Sequence, residues 1–304
     1  MKNHDRSRGI GRGIARQAGA CFVWLSKALS FSLFCQLVRS LVFVSLYYTN
    51  SRLVRHCRRS IGIAYGDEKT PVEQKQLLVD SLRHLGQTLA ETIYYTHNLK
   101  FVEGKIEIDG REHLDQALAR GKGVVAVTAH FGNFPVMIYW MSRCGYKVNV
   151  IMRRLRDEKI GDYVFEKVTA TGTKIIYTLP SRQCIQAALA ALRGNEILFI
   201  LLDQNYGADA RVMVNFFGHE AATGTSPVVF AQRTGAAVLP VFCLRKEPDR
   251  QVIKIDPEIL LQPADGTDNR IQYNVQLLTE VIERYIRQYP AWWAWMHNRW
   301  KGEE

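Results

Sequence analysis

Short apolar runs alternate with helical segments from residue 105 onward, and this alternation constrains the fold more than any other feature. We predict strands over Lys105–Asp109, Val124–Ala129, Lys147–Met152, Lys174–Tyr177, Ile197–Leu202, Ala237–Cys243 and Gln251–Ile255. The helices predicted between them are Arg111–Arg120, Pro135–Cys144, Asp157–Ala170, Ser181–Arg193 and Pro227–Thr234. Alternation with such short connections indicates an α/β fold, in which helices flank a mixed, mostly parallel sheet.

The first 60 residues are predicted to form a basic arm and a membrane-associated helical segment, followed by an α/β domain over residues 61–304. Residues 1–19 contain five basic residues and one acid, and residues 21–48 are rich in aromatic and aliphatic side chains. The polar residues that interrupt this stretch are Lys27, Gln36 and Arg39. Because a spanning helix needs about 18 or more apolar residues, we favour a helix on the membrane surface. A core helix with polar edges is the alternative.

The chain is strongly basic, with a formal net charge of +11 and a sequence pI near 9.4. This charge favours anionic partners, which include nucleic acid, acidic proteins, phosphorylated substrates and an anionic bilayer. The six cysteines form no CxxC pair and no metal-ligand spacing with a histidine. We therefore expect small core residues in a reducing compartment, with neither a disulfide framework nor a metal site.

A single histidine, His130, follows the predicted strand Val124–Ala129. Asn133 can cap the next helix, and Pro135 suits its first turn, where a missing N–H costs little. A histidine at a strand end that faces a helix N-terminus can act as a general base beside amide donors. The alternative is a buried histidine whose ring is satisfied by backbone groups.

Two neighbouring strand ends favour the catalytic interpretation of His130. The third predicted strand leads into Arg153 and Arg154, and the fifth leads into Asp203 and Gln204. Ligands of open α/β sheets gather at the carboxyl ends of strands, so a base, a cationic pair and a carboxylate are expected on one rim. A solvated basic turn is the alternative for the arginine pair.

Three further segments carry weaker signals. Thr70 and Glu73 predict a capping box at the start of a long helix, near whose end Glu91 is predicted to be solvated. The Thr/Gly/Ser-rich stretch from Ala221 to Ser226 is predicted to be a loop that lines an acceptor site or connects two elements. The tryptophan-rich segment 290–301 suits either a lipid–water boundary or closure of the core.

Five motifs, in this order, resemble the bacterial lipid A late acyltransferases. They are His130-Phe131-Gly132-Asn133, Met152-Arg153-Arg154, Leu202-Asp203-Gln204, Phe216-Phe217-Gly218 and Trp295-Met296-His297-Asn298-Arg299. This family comprises lauroyl and myristoyl transferases within the broader lysophospholipid acyltransferase superfamily. The resemblance extends over roughly residues 20–301.

The resemblance implies an acyltransferase at the cytoplasmic face of the bacterial inner membrane. Such an enzyme moves a fatty acyl chain from an acyl-carrier-protein or coenzyme A thioester to a hydroxyl of a lipid A precursor or related glycolipid. It implies no metal or redox cofactor. The positive charge then suits an acidic carrier protein and an anionic membrane lipid, and nucleic acid is not expected as a partner.

The catalytic signature of the family is a histidine followed, after four intervening residues, by an aspartate or glutamate. The histidine corresponds to His130, whereas Pro135 occupies the position of the acid. We therefore expect His130 to be the base and Asp203 to supply the missing partner, with Glu220 and Glu91 as weaker candidates. The alternative is a catalytically weak or inactive homologue that binds lipid or a partner protein.

The remaining predicted site residues would bind substrate. Amides near Gly132 and Asn133 are expected to meet the oxyanion. Arg153 and Arg154 are expected to hold a phosphate of the donor or acceptor, because guanidinium matches phosphate oxygens bidentately. Gln204, next to the predicted acid, is also expected to contact substrate.

Overall fold

The computed structural model describes residues 19–154, 169–207, 211–263 and 268–301, and a sheet occupies its centre. The strands are β1 (Ile106–Asp109), β2 (Val124–Thr128), β3 (Val148–Met152), β4 (Lys174–Tyr177), β5 (Ile197–Leu201), β6 (Arg211–Phe216), β7 (His219–Gly224), β8 (Ala237–Glu247) and β9 (Arg250–Ile255). Seven of them form one sheet in the order β1-β9-β8-β2-β5-β3-β4. Strands β8, β2, β5, β3 and β4 are parallel, whereas β9 pairs antiparallel with β8 and parallel with β1. The predicted mixed, mostly parallel sheet is confirmed.

Helices flank this sheet and also precede it in the chain. They are α1 (19–28), α2 (Phe31–Val44), α3 (Ser51–Tyr65), α4 (Pro71–His97), α5 (Leu99–Val102), α6 (Arg111–Ala119), α7 (Phe134–Arg143), α8 (Ser181–Arg193), α9 (Ser226–Thr234) and α10 (Asp268–Gln288). Four of the five helices predicted within the α/β pattern are confirmed as α6 to α9. The fifth, Asp157–Ala170, falls largely outside the described residues.

The second strand of a β-hairpin, His219–Gly224, covers most of the stretch from Ala221 to Ser226 that was predicted as a loop, which corrects that expectation. Strands β6 and β7 pair antiparallel, with only Phe217 and Gly218 between them. Both residues have positive φ, 57° and 81°. Tight hairpin turns of this kind usually carry asparagine or aspartate before the glycine, so a phenylalanine at this position concealed the hairpin in the sequence.

Helix α4 is the long support on which the amino-terminal helices pack. Its predicted capping box is confirmed, because the Glu73 N–H donates to Thr70 Oγ1 at 3.3 Å and the Thr70 N–H donates to Glu73 Oε2 at 2.8 Å. Helices α2 and α3 both pack against it. Further along, Thr88 of α4 contacts the Gly132 carbonyl through its hydroxyl at 3.5 Å, so this helix reaches the loop after β2.

Helix α2 has one buried and one exposed apolar face. Phe34, Cys35 and Val38 are buried. The exposed apolar residues of the helix and of its π-helical continuation, Ser45–Thr49, are Leu33, Leu37, Leu41, Val44 and Tyr48. The helical stretch Phe31–Thr49 has a mean hydropathy of 1.4 and is long and apolar enough to cross a membrane. Length and composition alone do not separate a spanning helix from a surface helix, and the division at residue 60 stays a prediction.

Candidate active site

The loops after β2 and β5 bring His130 and Asp203 together. These strands are neighbours in parallel register, with Thr128 beside Leu201, so the residues two positions further along meet at the same edge of the sheet. His130 Nδ1 lies 2.9 Å from Asp203 Oδ1. The backbone N–H of His130 also donates to Asp203 Oδ2, at 3.0 Å. The pairing expected between these two residues is present.

Asp203 is a buried carboxylate with several donors around it. Its relative exposure is 1%, and the indole N–H of Trp293 donates to Oδ2 at 2.7 Å. Burial by itself would raise the pKa of Asp203, but His130, His297 and the Trp293 N–H outweigh it and hold that pKa well below its usual range. The charged carboxylate therefore accepts the Nδ1 proton of His130, which leaves Nε2 of the neutral ring with its lone pair.

The start of helix α7 explains how Pro135 is accommodated. Asn133 caps this helix as predicted, because its Oδ1 accepts the N–H of Val136 at 3.3 Å, and Pro135 lies in the first turn. Pro135 offers no carboxylate, and the carboxylate in contact with the His130 ring is that of Asp203. The weaker candidate Glu220 lies exposed on β7, opposite Asn215 in the hairpin.

The loop from His130 to Asn133 is held by backbone hydrogen bonds. Gly132 has a φ of 56°, and a Cβ atom there would lie 1.9 Å from the carbonyl oxygen of Cys243. The Gly132 N–H donates to the Trp292 carbonyl at 3.0 Å, and the Asn133 N–H is engaged with Cys243. The oxyanion role predicted for these two amides stays a prediction; in this structure the Gly132 N–H has an acceptor within the protein.

Glu91, predicted to be solvated, is fully buried behind this loop, and that expectation is wrong. Its carboxylate accepts from Arg245 Nε at 2.7 Å and from Arg245 Nη2 at 2.9 Å. The side-chain amides of Asn133 and Gln251 each donate to Oε2 at 3.0 Å. The burial of Glu91 could not be predicted from its position near a helix end, because its partners Arg245 and Gln251 belong to the distant strands β8 and β9.

Gln204 lies between two histidines. Its amide nitrogen is 3.1 Å from His130 Nε2 and 3.1 Å from His297 Nε2, and the two imidazole centroids are 4.8 Å apart. Burial, followed by the neighbouring His130, lowers the pKa of His297, so this ring is neutral at neutral pH. His297 was present in a predicted motif but was not predicted as a site residue. Its neighbours in the sequence offered no charge pattern that would have marked it.

The buried Arg299 fixes the backbone beside Gln204. Its Nη1 donates to the carbonyls of Gln204, at 3.2 Å, and Ala222, at 2.6 Å. Its Nη2 donates to the hydroxyl of Thr223 at 2.5 Å. Burial lowers the pKa of Arg299 to about 10, so the side chain remains charged at neutral pH. The Asp203–Gln204 segment is therefore held from the carboxyl-terminal side of the chain.

An apolar cleft of about 200 Å³ opens beside His130 and His297. Its apolar lining includes Leu82, Leu85, Phe134, Trp292 and Met296. Of the carboxyl-terminal tryptophans, Trp293, Trp295 and Trp300 are buried at 1–2% exposure. The segment 290–301 therefore closes the core and one wall of the cleft, the second of its two predicted roles.

The predicted phosphate ligands, Arg153 and Arg154, are exposed at the end of β3 and do not line the cleft. Strand β5 separates β3 from β2, which places them on the same rim but on the order of 10 Å along it. The guanidinium of Arg154 lies 4.5 Å from the ring centroid of Tyr177. The structure thus brings together His130, Asp203 and Gln204 and leaves the arginine pair to one side.

Neither a disulfide nor a metal cluster occurs in the part of the chain that the structure describes. All six cysteines lie in that part and are free; Cys21 and Cys144 are exposed and the other four are buried. No group of three histidine, cysteine or acidic side chains within the described ranges could hold a metal ion.

The chain is similar to several known proteins. The family model described as bacterial lipid A biosynthesis acyltransferase matches residues 1–302. The chain is 24% identical over 290 residues to the lipid A biosynthesis lauroyltransferase of Escherichia coli K12, which covers 93% of this chain and 90% of that protein. It is 24% identical over 233 residues to the palmitoleoyltransferase of the same organism, covering 75% and 72% of the two chains.

A third relative carries a different name. The chain is 25% identical over 197 residues to a phosphatidylinositol mannoside acyltransferase of Mycobacterium tuberculosis, covering 64% of this chain and 60% of that protein. The names of these relatives share acyl transfer and a glycolipid, and they differ in which glycolipid.

Proposed function

Because this chain belongs to the bacterial lipid A biosynthesis acyltransferase family, we propose that it transfers a fatty acyl chain from a thioester to a hydroxyl of a lipid A precursor or related glycolipid. That it is an acyltransferase follows from the family itself. The proposal concerns its base, its donor, its acceptor and its place at a membrane.

The observation that carries the proposal is the His130–Asp203 pair at the cleft. With Nδ1–H held by Asp203, Nε2 of His130 can take the proton of the acceptor hydroxyl as its oxygen attacks the thioester carbonyl. Asp203 stabilises the imidazolium that forms, in the manner of other histidine–carboxylate pairs. The new C–O bond then replaces the C–S bond, and the proton on His130 returns to the departing sulfur.

The apolar cleft suits the acyl chain of the donor. Burial of each CH₂ group is worth about 0.8 kcal/mol, so a cleft walled by leucine, phenylalanine, tryptophan and methionine side chains favours an alkyl chain over a polar group. Because it opens beside His130, a chain that occupied it would place its carbonyl carbon near the base. The thioester is carried by acyl carrier protein or by coenzyme A.

The exposed faces of α2 and α3 support membrane association. Leu33, Leu37 and Leu41 lie along the unburied side of α2. In α3, Arg52, Arg55 and Arg58 are exposed, and a basic side chain near an anionic bilayer surface contributes about 1 kcal/mol. An apolar stripe followed by a basic helix is the pattern of a surface-bound protein, here at the cytoplasmic face of the inner membrane.

The acceptor is a glycolipid whose phosphate can be held on the rim by Arg153 and Arg154. Both kinds of acceptor in the names of the relatives, lipid A and phosphatidylinositol mannoside, belong to this class. The reaction as written needs no metal and no redox cofactor. It uses only the proton on His130 and the energy of the thioester.

Lipid mass spectrometry of cells with and without the gene tests the proposal. We expect one glycolipid to gain the mass of one acyl chain when the wild-type gene is present, and to lose it when the gene carries His130→Ala. An unchanged lipid profile would instead favour the alternative, a homologue that binds lipid without transferring an acyl chain. Acylation by the His130→Ala variant at the wild-type level would remove His130 from the mechanism.

A further inference from the structure

The site holds a second imidazole, His297, which the transfer reaction as described above does not use. Among the residues that the structure describes it has no salt-bridge partner and belongs to no metal-binding group, yet its Nε2 lies 3.1 Å from the amide nitrogen of Gln204. Its backbone is fixed on both sides, since the His297 carbonyl accepts from the Ser60 hydroxyl at 3.3 Å and from the Arg299 N–H at 3.0 Å. These two hydrogen bonds fix the backbone from which the imidazole of His297 projects.

The position of the Gln204 amide relative to His130 is informative. Its nitrogen is 3.1 Å from Nε2 and 3.4 Å from Nδ1 of the same ring. A group nearly equidistant from both ring nitrogens lies over the face of the imidazole and not in line with the Nε2 lone pair, which points along the ring plane. The lone pair of His130 is therefore left for the acceptor hydroxyl.

The hydrogen-bond partner of this amide is then His297. Of the two N–H groups of Gln204, one can donate to the Nε2 lone pair of a neutral His297. The other remains beside the face of His130, which is itself one of the residues that line the cleft. An N–H in this place lies next to the point where a hydroxyl bound to His130 would attack a carbonyl carbon.

The reaction needs a donor there, because the thioester carbonyl oxygen becomes negatively charged when the hydroxyl adds. The amides of the His130–Asn133 loop do not serve, since the His130 N–H is bonded to Asp203, the Gly132 N–H to Trp292 and the Asn133 N–H is engaged with Cys243. A preorganised donor at such a position is usually a large contribution to catalysis.

We propose that the side-chain amide of Gln204 binds the oxyanion and that His297 is the positioning residue that aims this amide. The inference rests on the proposed acyl transfer. In the resting site the two N–H groups of Gln204 face His297 and the ring of His130. In the reacting site the first hydrogen bond stays, and the second N–H turns to the carbonyl oxygen.

Kinetics of purified, detergent-solubilised variants with an acyl thioester test the proposal. Gln204→Ala should lower kcat by about 10²–10³-fold, the usual effect of removing one oxyanion donor, with little change in KM. His297→Phe, which keeps a ring but has no acceptor, should lower kcat in the same direction. His297→Gln, whose carbonyl can accept from Gln204, should recover part of that loss.

A double-variant comparison separates positioning from a general loss of structure. If His297 acts only through Gln204, the variant with both Gln204→Ala and His297→Phe should be no slower than Gln204→Ala alone. The matched control is His113→Phe on α6, outside the site, which should keep wild-type kcat. Wild-type kcat in Gln204→Ala or in His297→Phe would overturn the proposal, as would multiplicative losses in the double variant.

Nitrogen-15 NMR of the eight histidines tests the arrangement without any turnover. We expect His297 to be a neutral Nδ1–H tautomer whose Nε2 signal shifts in Gln204→Ala, and an Nε2–H tautomer would overturn the proposal. Failure of the proposed function has a different signature, because the wild-type protein would then transfer no acyl chain from any thioester tested.

Discussion

Glu91 and Arg245 form a two-point ion pair whose carboxylate is fully buried, with N–O distances of 2.7 and 2.9 Å. The pair lies directly behind the loop that carries His130, because Glu91 also accepts the amide of Asn133. Glu91 raises the pKa of Arg245 against the opposing effect of burial. Removal of Glu91 would leave the partly buried Arg245 cation without its partner, and removal of Arg245 would leave the fully buried Glu91 carboxylate without its cation.

Glu91→Gln should therefore destabilise the protein strongly while changing few atoms. Breaking a buried ion pair by removing one partner costs about 3–5 kcal/mol, and denaturant unfolding measures it. Asp109→Asn is the control, because Asp109 and Lys254 form an exposed pair with a 2.8 Å contact, worth less than about 1 kcal/mol. Equal stability of the Glu91→Gln variant and the wild-type protein would contradict the assignment.

Asp203→Asn should lower kcat by about 10²–10⁴-fold, the range attributed to positioned acid–base catalysis. The neutral amide can no longer stabilise an imidazolium, nor does it fix the Nδ1–H tautomer of His130. Steady-state transfer from an acyl thioester checks this, with circular dichroism to verify the fold. Wild-type rates in both Asp203→Asn and His130→Ala would exclude the pair from catalysis.

Pro135→Glu should leave the transfer rate within a few fold of the wild-type rate. Asp203 already lies at hydrogen-bond distance from Nδ1 of His130, so a glutamate at position 135 would have no free ring nitrogen to orient. The substitution should not disturb the fold, because an acidic side chain in the first turn of a helix is favourable. The same kinetic assay measures this. A rise of 100-fold or more would show that the proline had suppressed activity, as expected of a weakened homologue.

The free energy of unfolding should decrease in two steps as the pH is lowered. Burial, followed by the neighbouring Arg245, lowers the pKa of His84 to about 3. Between about pH 6.5 and 3, His84 is therefore protonated in the unfolded chain but neutral in the folded chain. This contribution to stability is lost as the pH falls from about 6.5 towards 3. Asp203, whose pKa is also depressed, adds a loss below about pH 4, as its stabilising charge is removed.

Melting temperatures across pH 3–8 measure this effect, with His84→Gln as the test variant. One histidine can change the free energy of unfolding by at most about 1.4 kcal/mol per pH unit. We expect the variant to lose stability less steeply than the wild-type protein between about pH 6.5 and 4. An unchanged slope would show that His84 is protonated in the folded state.

Replacement of Leu33 and Leu41 by glutamine should weaken binding to anionic vesicles without unfolding the protein. Both side chains are at least half exposed, and burial of a leucine is worth about 1.5–3 kcal/mol, so a tenfold or larger loss is expected. Leu260→Gln is the control, since Leu260 is 81% exposed on the segment after β9. Equal flotation of the two variants with vesicles would exclude α2 as the membrane-binding face.

Local physics accounts for what was predictable here. The alternation of apolar runs and helices, the capping box at Thr70 and the Asn133 cap of α7 each depend on residues close together in the chain. The same holds for His130, which follows directly from the end of a buried strand. These features were confirmed nearly at their predicted bounds, because the helices and caps are hydrogen-bonded between neighbouring residues and the strands are marked by runs of buried apolar side chains.

The composition of the site depended on the tertiary structure. Asp203 lies beside His130 only because β5 pairs with β2. The Glu91 carboxylate is paired in the interior only because Arg245, on β8, lies against α4. His297 and Trp293 belong to the tryptophan-rich segment 290–301, in which nothing in the sequence indicated a contact with Asp203 or Gln204. Contacts between residues distant in the chain have no local signature, so strand order decided which acid lies beside His130.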